Sequence, residues 1–170
     1  MSPKVKRENL ITVGISTCLL GQKVRFDGGH KHDRYITDIL GPFFRFIPIC
    51  PEVEIGMTIP REPVRLEGDP EHPRLVSVRV GHDWTHRMNR YAFNRVARRD
   101  LQSISGYILK KDSPSCGMER VKVYNDHGVA QRTGTGLFAA ALRFQFPLLP
   151  MEEEGRLHDP HLRENFIVRV

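Results

Sequence analysis

Hydrophobic positions along the chain fall into two patterns, short β-branched runs that stop at glycine or proline and longer stretches with helical spacing. The run "LITVGIST" (10–17) predicts a buried strand feeding the glycine-bearing loop "CLLGQKVRFDGG" (18–29). "HDRYITDILGPFF" (32–44) has helical spacing and stops near Gly41 and Pro42, and "RFIPICPEVEIGM" (45–57) predicts a second strand ending at Cys50 and closed by Pro51. The next segment, "TIPREPVRLEGDPEHPRLVSVR" (58–79), is dense in proline and glycine and reads as an irregular excursion with one or two short strands.

From residue 83 to 104 the spacing is strongly helical, with Met88, Ala92 and Val96 on one face and Arg87, Arg90, Arg95, Arg98 and Arg99 mostly on others. "SGYILKK" (105–111) predicts a third strand, and "VKVY" (121–124) a short fourth. "TGTGLFAAALRFQF" (133–146) reads as a glycine-started helix, "PLLPMEEEGRL" (147–157) as a last strand running into acidic residues, and the tail "HDPHLRENFIVRV" as an amphipathic docking arm or junction. Strands alternating with helices predict an α/β fold with a mostly parallel, Rossmann-like sheet flanked by helices.

That arrangement puts Cys18, Cys50 and Cys116 each at or just beyond the C-terminal end of a separate strand. Ligands bind at this edge of open parallel sheets, so the three thiols can converge on one site. Three is an odd number and the cysteines are far apart in sequence. The N-terminal "MSPKVKRENL" has no apolar core of an export signal, so reduced thiols in a cytoplasmic protein are expected rather than a disulfide framework. No apolar run approaches the roughly 20 residues of a membrane span. The 170-residue length and 27% charged content fit one globular domain, and the net charge of +6 favours an anionic partner such as nucleic acid.

A single free cysteine is usually a packing residue, but three at strand ends favour a metal site or cluster. The spacing contains neither a Cys-x-x-Cys pair nor a close-packed ferredoxin run. Zinc would need a fourth ligand, and His82 and His86, though four residues apart, have no glutamate between them and suit a solvated surface better. His30 and His32 are better read as substrate or phosphate contacts. A cluster held by three cysteines leaves one iron without a protein ligand, free to act as a Lewis acid toward a soft sulfur donor.

Glu52, two residues beyond Cys50, is the nearest candidate acid or base. Ser113 and Ser115 either bind substrate or water or cap the turn around Cys116, the arginines of 87–99 either track phosphates or are solvated, and "TGTG" either binds an anion or makes an ordinary cap. Three readings follow: a cluster enzyme, a zinc-bearing RNA-binding module without catalysis, and a thiol enzyme with Cys116 as nucleophile and a histidine base.

The segments "STCLLGQKVRFDGG", "ICPEVEIGMTIPREPV", "KKDSPSCG", "GTGLFAAAL" and "FPLLPMEEEGRL" resemble, in order and across nearly the whole chain, the TudS-type thiouracil desulfidases. The resemblance implies a [4Fe-4S] cluster on Cys18, Cys50 and Cys116 with one iron not ligated by protein. It makes Glu52 the acid or base and Ser113 a polar active-site residue; Arg25, Asp27, His30 and Ser115 are the further candidates for substrate binding. Phe26 stands where the family pattern has tyrosine, which puts any role for that hydroxyl in doubt.

The tail is similar to the junction in longer relatives, the RudS-like tRNA 4-thiouridine desulfidases, where a second, mostly helical domain follows. On this reading residues 1–156 form the desulfidase domain and 157–170 a tail or a junction to an absent domain. The expected activity is redox-neutral, iron-sulfur-dependent removal of sulfur from thiolated uracil. The expected substrate is 4-thiouridine in tRNA, with free thiouracil as the alternative and no membrane partner.

Overall fold

The computed structural model describes residues 10–170, so the N-terminal stretch 1–9 that was read for an export signal lies outside the described residues. The strands, in chain order, are β1 (Ile11–Ser16), β2 (Phe44–Ile49), β3 (Val64–Glu67), β4 (Arg74–Ser77), β5 (Gly106–Leu109), β6 (Val121–Tyr124), β7 (Ala130–Gly134) and β8 (Met151–Glu153). The α-helices are α1 (Pro51–Glu54), α2 (Thr85–Val96), α3 (Arg99–Gln102), α4 (Leu137–Gln145) and α5 (Pro160–Arg169).

The first sheet has the order β2-β1-β5-β8 and is parallel throughout, with Gly14 opposite Tyr107 and Ile15 opposite Ile108. The chain leaves β1 first to one side, for β2, and later to the other, for β5. The crevice above β1 is therefore the topological switch point of the sheet, where open α/β folds bind ligands. Both faces of this sheet are covered, which is why "GYIL" in β5 is apolar and buried without alternation. Tyr107 and Leu109 join Ala92, Val96, Phe138 and Leu142 in one core layer. Val13, Ile15 and Ile108 join Leu19, Ile36, Leu157 and Phe166 in the other.

A second sheet, β4-β3-β6-β7, gathers the short strands expected within 58–79 and at 121–124 and adds β7, which was not expected. Its β3 and β6 pair in parallel while β4 and β7 are antiparallel edges. Its strands are four or five residues long, and in β7, "AQRTG", the first four residues are exposed. Such a strand carries no hydrophobic period to read. Helix α2 joins the two halves, with Met88 in the core under the second sheet and Ala92 and Val96 in the core under the first.

Three elements differ from their predicted extents. The helical spacing of 32–44 yields only a short π-type turn, Tyr35–Leu40, closed by Gly41 N–H donating to Ile36 O. The arginine-rich helix breaks after Val96 and resumes as α3, and α4 begins at Leu137 because Thr133 and Gly134 belong to β7. Pro51 does not merely close β2, since it occupies the first turn of α1, where its missing N–H costs nothing.

The tail folds as α5, capped by Asp159, whose carboxylate accepts from His161 N at 2.9 Å and Leu162 N at 3.1 Å. Phe166 is buried against the parallel sheet. Among the described residues no helix is long and apolar enough to cross a membrane.

Candidate functional site

Each cysteine is delivered by the end of a different parallel strand. β1 ends at Ser16 and the chain turns at once into a 3-10 turn, Thr17–Leu20, which holds Cys18. Cys50 directly follows β2 and caps α1, with Glu54 N–H donating to its carbonyl at 2.9 Å. Cys116 lies in the loop beyond β5, between Asp112 and Arg120, two non-glycine residues with left-handed backbone, φ 59° and 56°. Such conformations persist where surrounding contacts enforce them.

Those contacts are visible. Ser113 Oγ accepts from Ser115 N at 3.2 Å and Cys116 N at 3.0 Å, so its hydroxyl ties the turn. The amides that open α4 donate to the same loop, Gly136 N to Gly117 O at 2.8 Å, Leu137 N to Pro114 O at 3.1 Å and Phe138 N to Ser115 O at 2.9 Å. The amides at the start of α4, Gly136 to Phe138, are thus spent on the cysteine loop and are not free for an anion. Gly136 has to be glycine, because a Cβ there would lie 2.5 Å from the Ser115 carbonyl carbon and 2.7 Å from Cys116 N. Glu153, at the end of β8, accepts from Met118 N at 2.8 Å and fixes the loop's exit.

The three thiols line one cavity of about 470 Å³ together with Glu52, Ser113, Ser115, Arg25 and Phe26. All three cysteines are free. Burial pushes the Cys116 thiol well above its ordinary value, the charges that Cys50 and Cys18 would carry push the same way, and a hydrogen bond from Ser16 opposes them. Burial pushes Cys18 up to about 11 against the attraction of Arg25 and Lys110, and it raises Cys50 as well. Three neighbouring thiolates in such a place need a cationic occupant, as metal ligands do.

Among the described residues no three His, Cys, Asp or Glu side chains are gathered to hold a single metal ion. One zinc ion requires donor atoms about 2.0–2.3 Å from a common centre, whereas a cluster of several metal ions spreads its ligands around a larger body. Thiols that share a cavity without closing on one point suit the latter.

Glu52, in the first turn of α1, is held at both carboxylate oxygens. Arg61 donates to Oε2 from Nε at 2.9 Å and from Nη2 at 2.7 Å, and Ser115 Oγ donates to Oε1 at 2.9 Å. Arg61 and Glu52 are both largely buried, with side-chain exposures of 7% and 13%. Beside Cys18, Lys110 Nζ is paired with Glu154, while Ser16 Oγ accepts from Lys110 N at 3.0 Å.

Of the residues expected at the site, Asp27 and His30 stand outside the cavity lining. The exposed Asp27 carboxylate accepts from Gly29 N at 2.9 Å and shapes the turn, and His30 Nδ1 accepts from His32 N at 3.1 Å. Arg25 does line the cavity. Its Nε is buried and pairs with Asp27 Oδ1 at 3.8 Å, beyond hydrogen-bond distance, and its guanidinium lies over the Phe26 ring, 5.4 Å from the centroid.

Sequence reasoning missed Arg61 and Ser16. The "TIPREP" segment read as part of an irregular excursion in which no residue stood out, and a serine ending a strand carries no signal. Arg95 does not face phosphates, because it is buried in a two-pronged pair with Asp100, both bonds at 2.9 Å. No residue of α2 lines the cavity.

A family model described as 2-thiouracil desulfurase matches residues 13–154. The chain is 30% identical over 135 residues to the uncharacterized protein YbbK of Bacillus subtilis (strain 168), an alignment spanning 76% of this chain and 87% of that one. Its fold is similar to the solved structure of the [4Fe-4S]-dependent thiouracil desulfidase TudS, with a TM-score of 0.70 and 30% sequence identity, covering 93% of this chain and 99% of that one.

Proposed function

This chain belongs to the 2-thiouracil desulfurase family, and from that premise we propose that it removes sulfur from thiolated uracil with an iron-sulfur cluster held by Cys18, Cys50 and Cys116. The observation that carries the reading is the delivery of three free thiols from three strand ends to one cavity, beside a carboxylate fixed by two donors. The net reaction balances without electrons: a thiocarbonyl and a water become a carbonyl and hydrogen sulfide. A [4Fe-4S] cluster with one iron not ligated by protein supplies, when bound, a Lewis acid for a soft sulfur donor.

The chain's own residues do the rest. Glu52 takes a proton from the attacking water and returns it to the departing sulfur, since of the two carboxylates that line the thiol cavity it is the largely buried one beside Cys50, whereas Asp112 is half-exposed and paired with Arg132. Ser115 holds Glu52 Oε1 toward the Cys116 loop, and Ser113 keeps that loop in shape while its hydroxyl borders the substrate space. Arg25, whose guanidinium lies over Phe26 at the edge of the cavity, supplies N–H donors for a uracil carbonyl. Phe26 offers an aromatic face to the same space but no hydroxyl.

4-Thiouridine in tRNA is the substrate that best suits a chain of net charge +6 whose cavity is bordered by Lys31 and Lys111. A cluster held by reduced thiols suits a reaction in the cytoplasm.

Anaerobic reconstitution of single variants tests the assignment. Alanine at any one of Cys18, Cys50 or Cys116 abolishes iron binding, whereas Glu52→Ala keeps about four irons per chain and loses turnover. A thiol enzyme relying on Cys116 would instead tolerate alanine at Cys18 and Cys50, and an RNA-binding module would be indifferent to Glu52→Ala.

A further inference from the structure

Arg61 makes contacts that the proposed chemistry does not yet use. Its Nε and Nη2 both donate to Glu52 Oε2, at 2.9 and 2.7 Å, and its Nη1 donates to Thr58 O at 3.3 Å. Its backbone N–H donates to Phe26 O at 2.8 Å, which ties the Arg61 segment to the loop that follows Cys18. Its side chain is 7% exposed. Each of its three guanidinium nitrogens therefore has a partner, so Arg61 is not waiting for a ligand.

The consequence falls on Glu52. A glutamate in a four-residue helix, with three rotatable side-chain bonds, has no fixed direction of its own. Arg61 removes that freedom by binding one oxygen twice. Oε2 is thereby occupied, and Oε1 is turned toward Ser115, one residue before Cys116. The polar chain Phe26 backbone, Arg61, Glu52, Ser115 also connects the loop after Cys18, the helix after Cys50 and the loop of Cys116.

We propose that Arg61 is a positioning residue for Glu52: its guanidinium holds Oε2 so that Oε1 is the edge that exchanges protons with water and substrate in the cavity. This rests on the desulfidase reading above. The fork geometry matters as well as the charge, because a lysine ammonium is a point donor that cannot reproduce two parallel N–H groups.

Two measurements test it, one of them independent of turnover. In the cluster-loaded protein, Arg61→Ala lowers kcat for thiouracil roughly 100-fold with KM changed less than about threefold. Iron content stays at the wild-type level, millimolar guanidinium restores a substantial part of kcat, and Arg61→Lys recovers less than added guanidinium does. Unchanged kcat, or lost iron with no rescue, overturns the proposal.

The second measurement is a thermal-unfolding cycle of Arg61→Ala, Glu52→Ala and the double variant in the full chain. Coupling predicts that the double variant melts no lower than the worse single one, and additive shifts overturn the proposal. Because the cycle needs no activity, a wild-type protein that releases no sulfide would sink the desulfidase reading while the Arg61–Glu52 coupling is still decided by the melts.

Discussion

Ser115 Oγ donates to Glu52 Oε1 at 2.9 Å, so the loop that carries Cys116 is tied directly to the helix that follows Cys50. Removing that hydroxyl leaves an oxygen of a largely buried carboxylate short of one donor. A hydrogen bond to a charged group contributes about 1.5–3 kcal/mol, so Ser115→Ala should lower kcat roughly 10- to 100-fold. Steady-state turnover at equal iron loading checks it, and iron content should not change.

Gly136→Ala should act through the backbone. Its new Cβ would press on the Ser115 carbonyl and the Cys116 amide, both under 3 Å away and both unable to yield like a flexible side chain. Overpacking of this kind costs about 1–3 kcal/mol, which lowers the melting temperature of a chain this size by several degrees. Iron incorporation should fall with it. Gly155→Ala is the control, since the nearest atom there is 3.8 Å from the added carbon.

The buried Arg95 sets an acid limit to stability. Burial alone would raise the Asp100 carboxyl, but the Arg95 hydrogen bonds and charge outweigh it and hold Asp100 below its ordinary 3.8. A lowered folded-state value means the pair stabilises the fold above pH ~4 and that this contribution is lost as the pH falls through the folded value. Asp100→Asn should therefore melt lower than the wild type near neutral pH, and the gap should narrow as the pH drops below ~4. A gap that is constant from pH 7 to 3 would contradict the pairing.

The parallel sheet and the rim of cysteines were legible because both write themselves into sequence. "LITVGIST" and "GYIL" are apolar runs cut off by turn residues, and each cysteine sits just past such a cut. Of the second sheet only the short strands in 58–79 and at 121–124 were legible, and their pairing was not, because the exposed edge strand "AQRTG" that completes it has no apolar face to announce it. Arg61 escaped for another reason. Its partner is nine residues upstream and the pair forms only once the loop folds back, so neither period nor spacing marks it. The arginines of α2 misled in the opposite direction, since Arg95 reads as surface charge until Asp100 is seen gripping it.

Salt separates the two substrate classes. If tRNA is the substrate, its phosphates displace counterions around Lys31, Lys111 and the exposed arginines, and turnover at low tRNA falls steeply as salt is raised. A free thiouracil has no such dependence. Charge reversal at Arg98, exposed between α2 and α3, tests the arginine-rich segment without the cost expected at Arg95, whose side chain is buried. Equal, salt-insensitive turnover of both substrates would leave a free-thiouracil desulfidase in place of the tRNA enzyme.

The most direct measurement follows sulfur. The protein is reconstituted anaerobically with iron and sulfide, freed of excess reagent and mixed with 2-thiouracil, 4-thiouracil or 4-thiouridine tRNA, and both products are assayed. The account expects hydrogen sulfide and the desulfurised base in equal amounts over many turnovers from at least one of these substrates, without added reductant, and none from iron-free protein. Absence of sulfide release from all three by iron-loaded protein, or equal release by the iron-free chain, would contradict it.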